Sequence, residues 1–428
     1  VTHKDDEESR MALSGMRSVS RVTAVLAATM ALVSGGASSA GASPSLTSIR
    51  AQEWWIDAMH VPDAVWPIST GKGITIAEID SGVDADHPDL AGQVLPGQNF
   101  SALPGGADTD TDGHGTGMAS FMVGTGKGWD DNGMYGLAPG AKILPLRIVP
   151  AGGNEDVFSM DFAKQMSEAI RAAADSSAQV INISMSQTED ESNVRNAVEY
   201  ALSKGKLIVA AVGNDGASGN PAEYPAAFPG VVGVGETDQK GNVATESEYG
   251  PQVALTAPGA NMYRACVGPT GYCTSHGTSD STALVSASAA LLWSVHPTWT
   301  ADQVIRVLMN TANAGSRPGV HDPYFGYGLV RPRVALVTPG DPGAAGVNPL
   351  LPVVAASSVA PKAGSPGAGR AGGAVARGSG GGAGVLVGAG VGVLVLAGVG
   401  GVVVRRRRLR GRVSSAPEPR DPYAHLPR

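Results

Sequence analysis

The chain has 428 residues, enough for a full α/β core with length left for extensions. Its net charge is −7, but the charge is uneven: residues 43–337 hold 16 basic and 31 acidic side chains, a net of −15. A segment this acidic excludes non-specific nucleic-acid binding, which depends on lysine and arginine neutralising phosphates.

In chain order, Arg17 and Arg21 precede an apolar run from Val22 to Val33, and small residues follow as far as Ala40-Gly41-Ala42. A charged start, a short apolar core and a small-residue exit describe a secretory signal peptide, so 1–42 are read as that signal and its upstream residues. From Gly73 onward, apolar strand-like runs alternate with helical ones. The pattern predicts strands at 74–79, 142–149, 179–184, 207–212, 231–235 and 253–256. It predicts helices at 114–123, 161–174 and 192–203, a long small-residue helix from Ser279, and a last one over 301–310 capped by Thr300. Near-continuous Val/Ile/Ala strands separated by helices indicate a mostly parallel sheet covered on both faces. Ordered composition ends near Leu336.

Residues 337–382, rich in Pro, Gly, Ala and Ser, read as a linker. From Ala383 to Val404 there is no charged or polar side chain, and about 22 residues at ~1.5 Å rise span a bilayer core. Arg405 to Arg408 follow at once, within a basic tail over 405–428. The positive-inside rule then predicts a single-pass cell-membrane protein with 43–336 outside and the tail in the cytoplasm. Cys266 and Cys273, close together in an exported chain, are expected to form a disulfide, with free thiols as the alternative. Their spacing does not suit a four-ligand zinc site, and no metal ligand is assigned.

Three separated segments carry the chemistry: Ile79-Asp80-Ser81-Gly82, Asp112-Gly113-His114-Gly115-Thr116 and Gly277-Thr278-Ser279. Serine is a poor nucleophile until a base removes its proton, histidine does this near neutral pH, and a carboxylate fixes the imidazole tautomer. Ser279 is the expected nucleophile, His114 the base and then acid, and Asp80 the group that orients His114. The Ser279 N–H, at the positive end of a predicted helix, suits an oxyanion. The order Asp…His…Ser is one of three that reach this geometry.

In that order and context the motifs resemble the subtilisin-like serine peptidases, over roughly Gln52 to Leu336. The resemblance implies a three-layer α/β fold with a mostly parallel central sheet, to which the sequence adds one C-terminal transmembrane helix. It implies a serine endopeptidase that passes through an acyl-enzyme and requires no cofactor. It assigns Asn214, in Ala210-Ala211-Val212-Gly213-Asn214, to the oxyanion hole beside Ser279. It makes Val180-Ile181-Asn182-Ile183-Ser184 the strand that pairs with an extended substrate, so Ser184, Met185 and Ser186 line the cleft. Asp89 and the loop Trp129-Asp130-Asp131-Asn132-Gly133 match the region where many of these enzymes hold a structural calcium, solvated turn carboxylates being the alternative. Two departures stand out: Ser281 and Ala283 replace the family's Ala and Pro after the nucleophile, and Asp280 adds a charge, expected to point outward, beside it.

The segment Glu53-Trp54-Trp55-Ile56-Asp57-Ala58-Met59-His60-Val61-Pro62 and the layout resemble the mycosins, membrane-anchored subtilisin-like proteases associated with actinobacterial type VII secretion. The partners implied are protein or peptide substrates, the membrane through one helix, and type VII secretion components. The alternative function is a scaffold that stabilises a secretion complex with little or no required catalysis.

Overall fold

Near-continuous apolar strands need cover on both faces, and in the computed structural model, which describes residues 48–148, 155–313 and 319–351, they have it. The regular elements in chain order are α1 (Trp54–Ala58), β1 (Thr75–Asp80), β2 (Gln98–Asn99), α2 (His114–Val123), the single turn α3 (Gly128–Asp131), β3 (Lys142–Arg147), α4 (Glu155–Asp175), β4 (Val180–Ile183) and α5 (Ser192–Ser203). They continue with β5 (Leu207–Ala211), β6 (Val232–Thr237), β7 (Val253–Pro258), β8 (Met262–Ala265), β9 (Tyr272–Ser275), α6 (Thr278–Val295), α7 (Ala301–Thr311) and α8 (Pro332–Val337). Seven strands form one sheet in the order β2-β3-β1-β4-β5-β6-β7, with every neighbouring pair parallel. Strands β8 and β9 form a separate antiparallel hairpin.

Alternation along β1 sends its side chains to two different layers. Ala77 and Ile79 join Ile181, Ile183, Ile208 and Ala210 in a core closed by apolar residues of α4 and α5. Glu78 and Asp80 point the other way, toward α2 and α6, as does Asn182, whose Oδ1 accepts from Ser286 Oγ at 2.8 Å. Helix α6 is buried from Thr278 to Trp293, and its many Ser, Thr and Ala residues let it lie close against the sheet. The chain runs from β1 to one side of the sheet (β2, β3) and then to the other (β4 onward). The ends of β1 and β4 therefore flank a topological switch point, where α/β sheets place their ligand clefts.

The three-layer α/β fold with a mostly parallel sheet expected from the sequence is present. Helices α2 and α5 have the expected bounds, and the Thr300 N–H at the start of α7 is held by Gln303 Oε1 at 3.1 Å. The other predicted elements shift by a few residues, most of all α4, which begins at Glu155, where acidic residues suit a first turn.

Three expectations need correction or extension. The fold class does not include the predicted transmembrane helix, and the single-pass membrane location that rested on it goes too: among the described residues no helix is long and apolar enough to cross a membrane. Of the long helices, α4 is charged on one side and α6 is studded with hydroxyls. The segments at 1–42 and 383–404, the tail, and the linker from 352 lie outside the described residues. Second, the ordered chain runs past 336. Gln303 Nε2 donates to the Gly343 carbonyl at 2.9 Å and Arg306 Nη2 to the Val347 carbonyl at 2.7 Å, so 343–347 return to α7. Third, Cys266 and Cys273 are unbridged in this structure, with their thiols close enough to hydrogen-bond each other. Cys273 pairs with Arg264, and the Cys266 N–H bonds to the Gly271 carbonyl, so the cysteines are diagonal neighbours in the hairpin. Burial, with Cys273 alongside, pushes the Cys266 thiol up to about 12.

Candidate active site

Asp80 is the last residue of β1 and is buried. Its Oδ1 accepts from His114 Nδ1 at 2.8 Å and from the Ser81 N–H at 2.7 Å, while Oδ2 has no partner. His114 opens α2 and is partly exposed. A Cβ on Gly115 would lie 2.1 Å from the Gly82 carbonyl oxygen, so only glycine lets the α2 terminus come this close to β1. Burial lowers the imidazole pKa, but the charge and hydrogen bond of Asp80 outweigh it, and the net effect is a raised value.

The loop before His114 is organised by a residue that the sequence reading missed. Asp110 Oδ1 accepts from Ser81 Oγ (3.0 Å) and from the N–H groups of Asp112 (3.0 Å) and Gly113 (2.8 Å). Its Oδ2 accepts from the Thr116 N–H (3.0 Å) and Oγ1 (2.7 Å). An aspartate two and three residues before free N–H groups is the mark of an Asx turn, and Asp110-Thr111-Asp112-Gly113 carried that signal. Arg147, at the end of β3 and fully buried, ties the same loop to β1: Nε donates to the Ser81 carbonyl (3.1 Å), and Nη1 to the carbonyls of Pro104 (3.0 Å) and Gly106 (3.3 Å).

Ser279 lies in the first turn of α6, where backbone N–H groups have no intrahelical acceptor. Its Oγ donates to the Ser184 carbonyl at 3.1 Å, and it makes no hydrogen bond to His114 here. Asn214 follows β5. Its Oδ1 accepts from the Thr278 N–H (2.9 Å) and Oγ1 (3.0 Å), which leaves the Nδ2 donors without a protein partner. Ser279, His114, Asn214 and Ser184 to Ser186 line one cleft of about 470 Å³, together with Gly213, Asp215 and Glu223. All the site residues expected from the sequence meet there except Asp80, which stands behind His114, and the two cysteines.

The subtilase family (peptidase S8) matches residues 71–328. The chain belongs to the subtilase family. This subtilase is 32% identical to subtilisin Savinase of Lederbergia lenta over 66% of its own length and 97% of that protein. It is 35% identical to thermitase of Thermoactinomyces vulgaris over 61% and 89%. Among solved structures, MycP1 from Mycobacterium smegmatis matches with a TM-score of 0.59 and 28% identity, over 68% of this chain and 86% of that one. MycP3 from the type VII (ESX-3) secretion system matches with a TM-score of 0.59 and 30% identity, over 67% and 88%. The protein is a subtilisin-like serine endopeptidase acting on peptide substrates, similar to the mycosins.

In this subtilase, a calcium at Asp89, which the resemblance implied, would have to displace the donors that hold its carboxylate. Its Oδ1 accepts from the Gly128 N–H at 2.7 Å, and its Oδ2 from the Met134 N–H at 2.9 Å and Tyr272 Oη at 2.7 Å. N–H and O–H donors occupy the positions from which a cation would be bound. Asp280, expected to point outward, is buried. Its Oδ1 accepts from Ser275 Oγ at 2.9 Å, and burial pushes its carboxyl up to about 7 against the pull of Arg264 and His114.

Proposed function

We propose that this subtilase hydrolyses peptide bonds through Ser279, His114 and Asp80, with an acyl-enzyme on Ser279 and an oxyanion held by Asn214 and the Ser279 N–H. The observation that carries this is the convergence on one cleft of an imidazole held at 2.8 Å by a buried carboxylate, a serine at a helix N-terminus, and an amide with free donors. Substrate binding turns Ser279 Oγ from the Ser184 carbonyl toward His114. As Oγ attacks the scissile carbonyl, His114 takes its proton and later gives it to the leaving amine. Negative charge develops on the carbonyl oxygen, beside Asn214 Nδ2 and the end of α6. Water then attacks the ester, with His114 again as base, and Ser279 recovers its proton. Ser184 to Ser186, continuing β4, hold the peptide in an extended form.

The likeness to MycP1 and MycP3 supports a role beside a type VII secretion machinery, with exported proteins as substrates. The test is labelling of the purified chain by a fluorophosphonate probe beside Ser279→Ala and His114→Ala. Labelling that needs both residues is expected. A folded wild-type chain that takes no label would overturn the catalytic reading, and secretion restored by Ser279→Ala in the source organism would assign the scaffold role.

A further inference from the structure

Behind Gly213, at one end of the cleft, three carboxylates converge that no step of the proposed hydrolysis uses. Oxygen atoms of Asp215, Glu223 and Glu248 lie within 4.8 Å of one another. Glu248 is fully buried, and its carboxyl meets the Asp215 N–H and the Glu223 carboxyl but no cationic side chain. Glu223 lines the cleft, and Ser186 Oγ donates to it. A Cβ on Gly213 would meet the carboxyl carbons of Glu248 at 2.6 Å and Glu223 at 2.7 Å, so glycine here lets both acids close in on the strand that leads to Asn214. Among the described residues no lysine, arginine or histidine forms an ion pair with any of the three.

Two carboxylates this close, one fully buried, cannot both ionise without a counter-charge. Burial raises both pKa values, that of Glu248 to about 8 with the neighbouring Glu223 charge adding to it. In the empty cleft a proton held between Glu223 and Glu248 relieves the pair, and a cation entering past Ser279 would take that proton's place. Met185, Phe162 and Ala211 give the cleft apolar wall, which suits an alkyl stem that ends in a positive group.

We propose that this cleft is the pocket for the residue preceding the scissile bond, and that it selects lysine or arginine by binding the cationic head between Glu223, Glu248 and Asp215. The proposal rests on the catalytic reading above, because it places the acyl donor's side chain beside Ser279. An inorganic cation shares the chemistry, but a site that opens beside the nucleophile favours a charge delivered by the substrate.

The test is calorimetric binding of product-like hexapeptides ending in arginine, citrulline or leucine to the non-cleaving Ser279→Ala chain. This readout does not depend on turnover, so it fails separately from the probe labelling. The arginine peptide is expected to bind at least ~30-fold tighter than its neutral isostere citrulline, the scale of a desolvated charge pair. The gap should shrink in Glu223→Gln and, at the exposed and structurally safer position, in Asp215→Asn. Equal binding of arginine and citrulline, binding of none of the peptides, or a gap unchanged in both variants would overturn the proposal. Calcium and zinc chloride form the control arm: micromolar binding that blocks the arginine peptide would assign the carboxylates to a metal ion instead.

Discussion

Asp80 holds the His114 imidazole by one oxygen, Oδ1, at 2.8 Å, and shares that oxygen with the Ser81 N–H. On the proposed mechanism the bond fixes which ring nitrogen faces Ser279 and stabilises the imidazolium that forms. On the proposed mechanism Asp80→Asn lowers kcat by about 10⁴-fold, the scale seen when a serine protease loses this acceptor. The same contact raises the imidazole pKa, so the acid limb of kcat/KM should lie above the usual ~6.5 and move down in Asp80→Asn. Asp280, pushed up to about 7, titrates nearby. A limb that stays in Asp80→Asn and moves in Asp280→Asn would belong to Asp280, and the assignment to His114 would fail.

On the proposed mechanism the Nδ2 donors of Asn214, which no described protein group uses, act as charge develops on the substrate. Asn214→Ala should lower kcat by about 10²–10³-fold with KM little changed, a magnitude taken from a subtilisin relative. It also removes the acceptor of two Thr278 bonds, at roughly 1 kcal/mol each. Steady-state kinetics together with thermal melting separates the two effects. A fall in kcat matched by loss of folded protein would remove Asn214 from the oxyanion hole.

Arg147 makes the His114 loop part of the sheet rather than a free surface loop. Its guanidinium reaches the carbonyls of Ser81, Pro104 and Gly106 from the far side of β1. Arg147→Ala leaves the buried Ser81 carbonyl unpaired and frees the Pro104–Gly106 segment, at an expected cost of roughly 1–3 kcal/mol. Amide exchange should accelerate over 104–113 before it does in β5 or β6. Uniform acceleration through the sheet would mean that Arg147 supports the whole fold and not this loop.

What the sequence showed plainly was whatever depends on local pattern. Runs such as Leu207–Ala211 have one reading in a covered parallel sheet, and Asp80, His114 and Ser279 each come with glycines that only a tight approach requires. Contacts set by the tertiary fold were harder to read. Arg147 ends an ordinary strand, and nothing local says that its charge will be buried under carbonyls. Glu223 and Glu248 are 25 positions apart in polar loops, and they meet only because both pack against Gly213.

Glu236, near the end of β6, is fully buried, with the Gly277 N–H beside its carboxyl and no cationic side chain paired with it. Burial first, then the charges of Glu246 and Asp280, push its carboxyl from 4.5 up to about 8. Between those two values the folded chain keeps a proton that the unfolded chain has lost, so stability falls as pH rises through that window. Glu248, also pushed up to about 8, has the same sign, and so does His114, whose stabilising contribution is lost as pH rises through its raised folded value. The folded state should therefore melt several degrees higher at pH 5.5 than at pH 8. Glu236→Gln keeps the shape of the neutral acid and cannot ionise. It should leave the melting temperature at pH 5.5 nearly unchanged, raise it at pH 8, and so flatten the profile. A variant that loses as much between the two pH values as the wild type would show that Glu236 stays ionised in the fold, with a counter-charge found elsewhere.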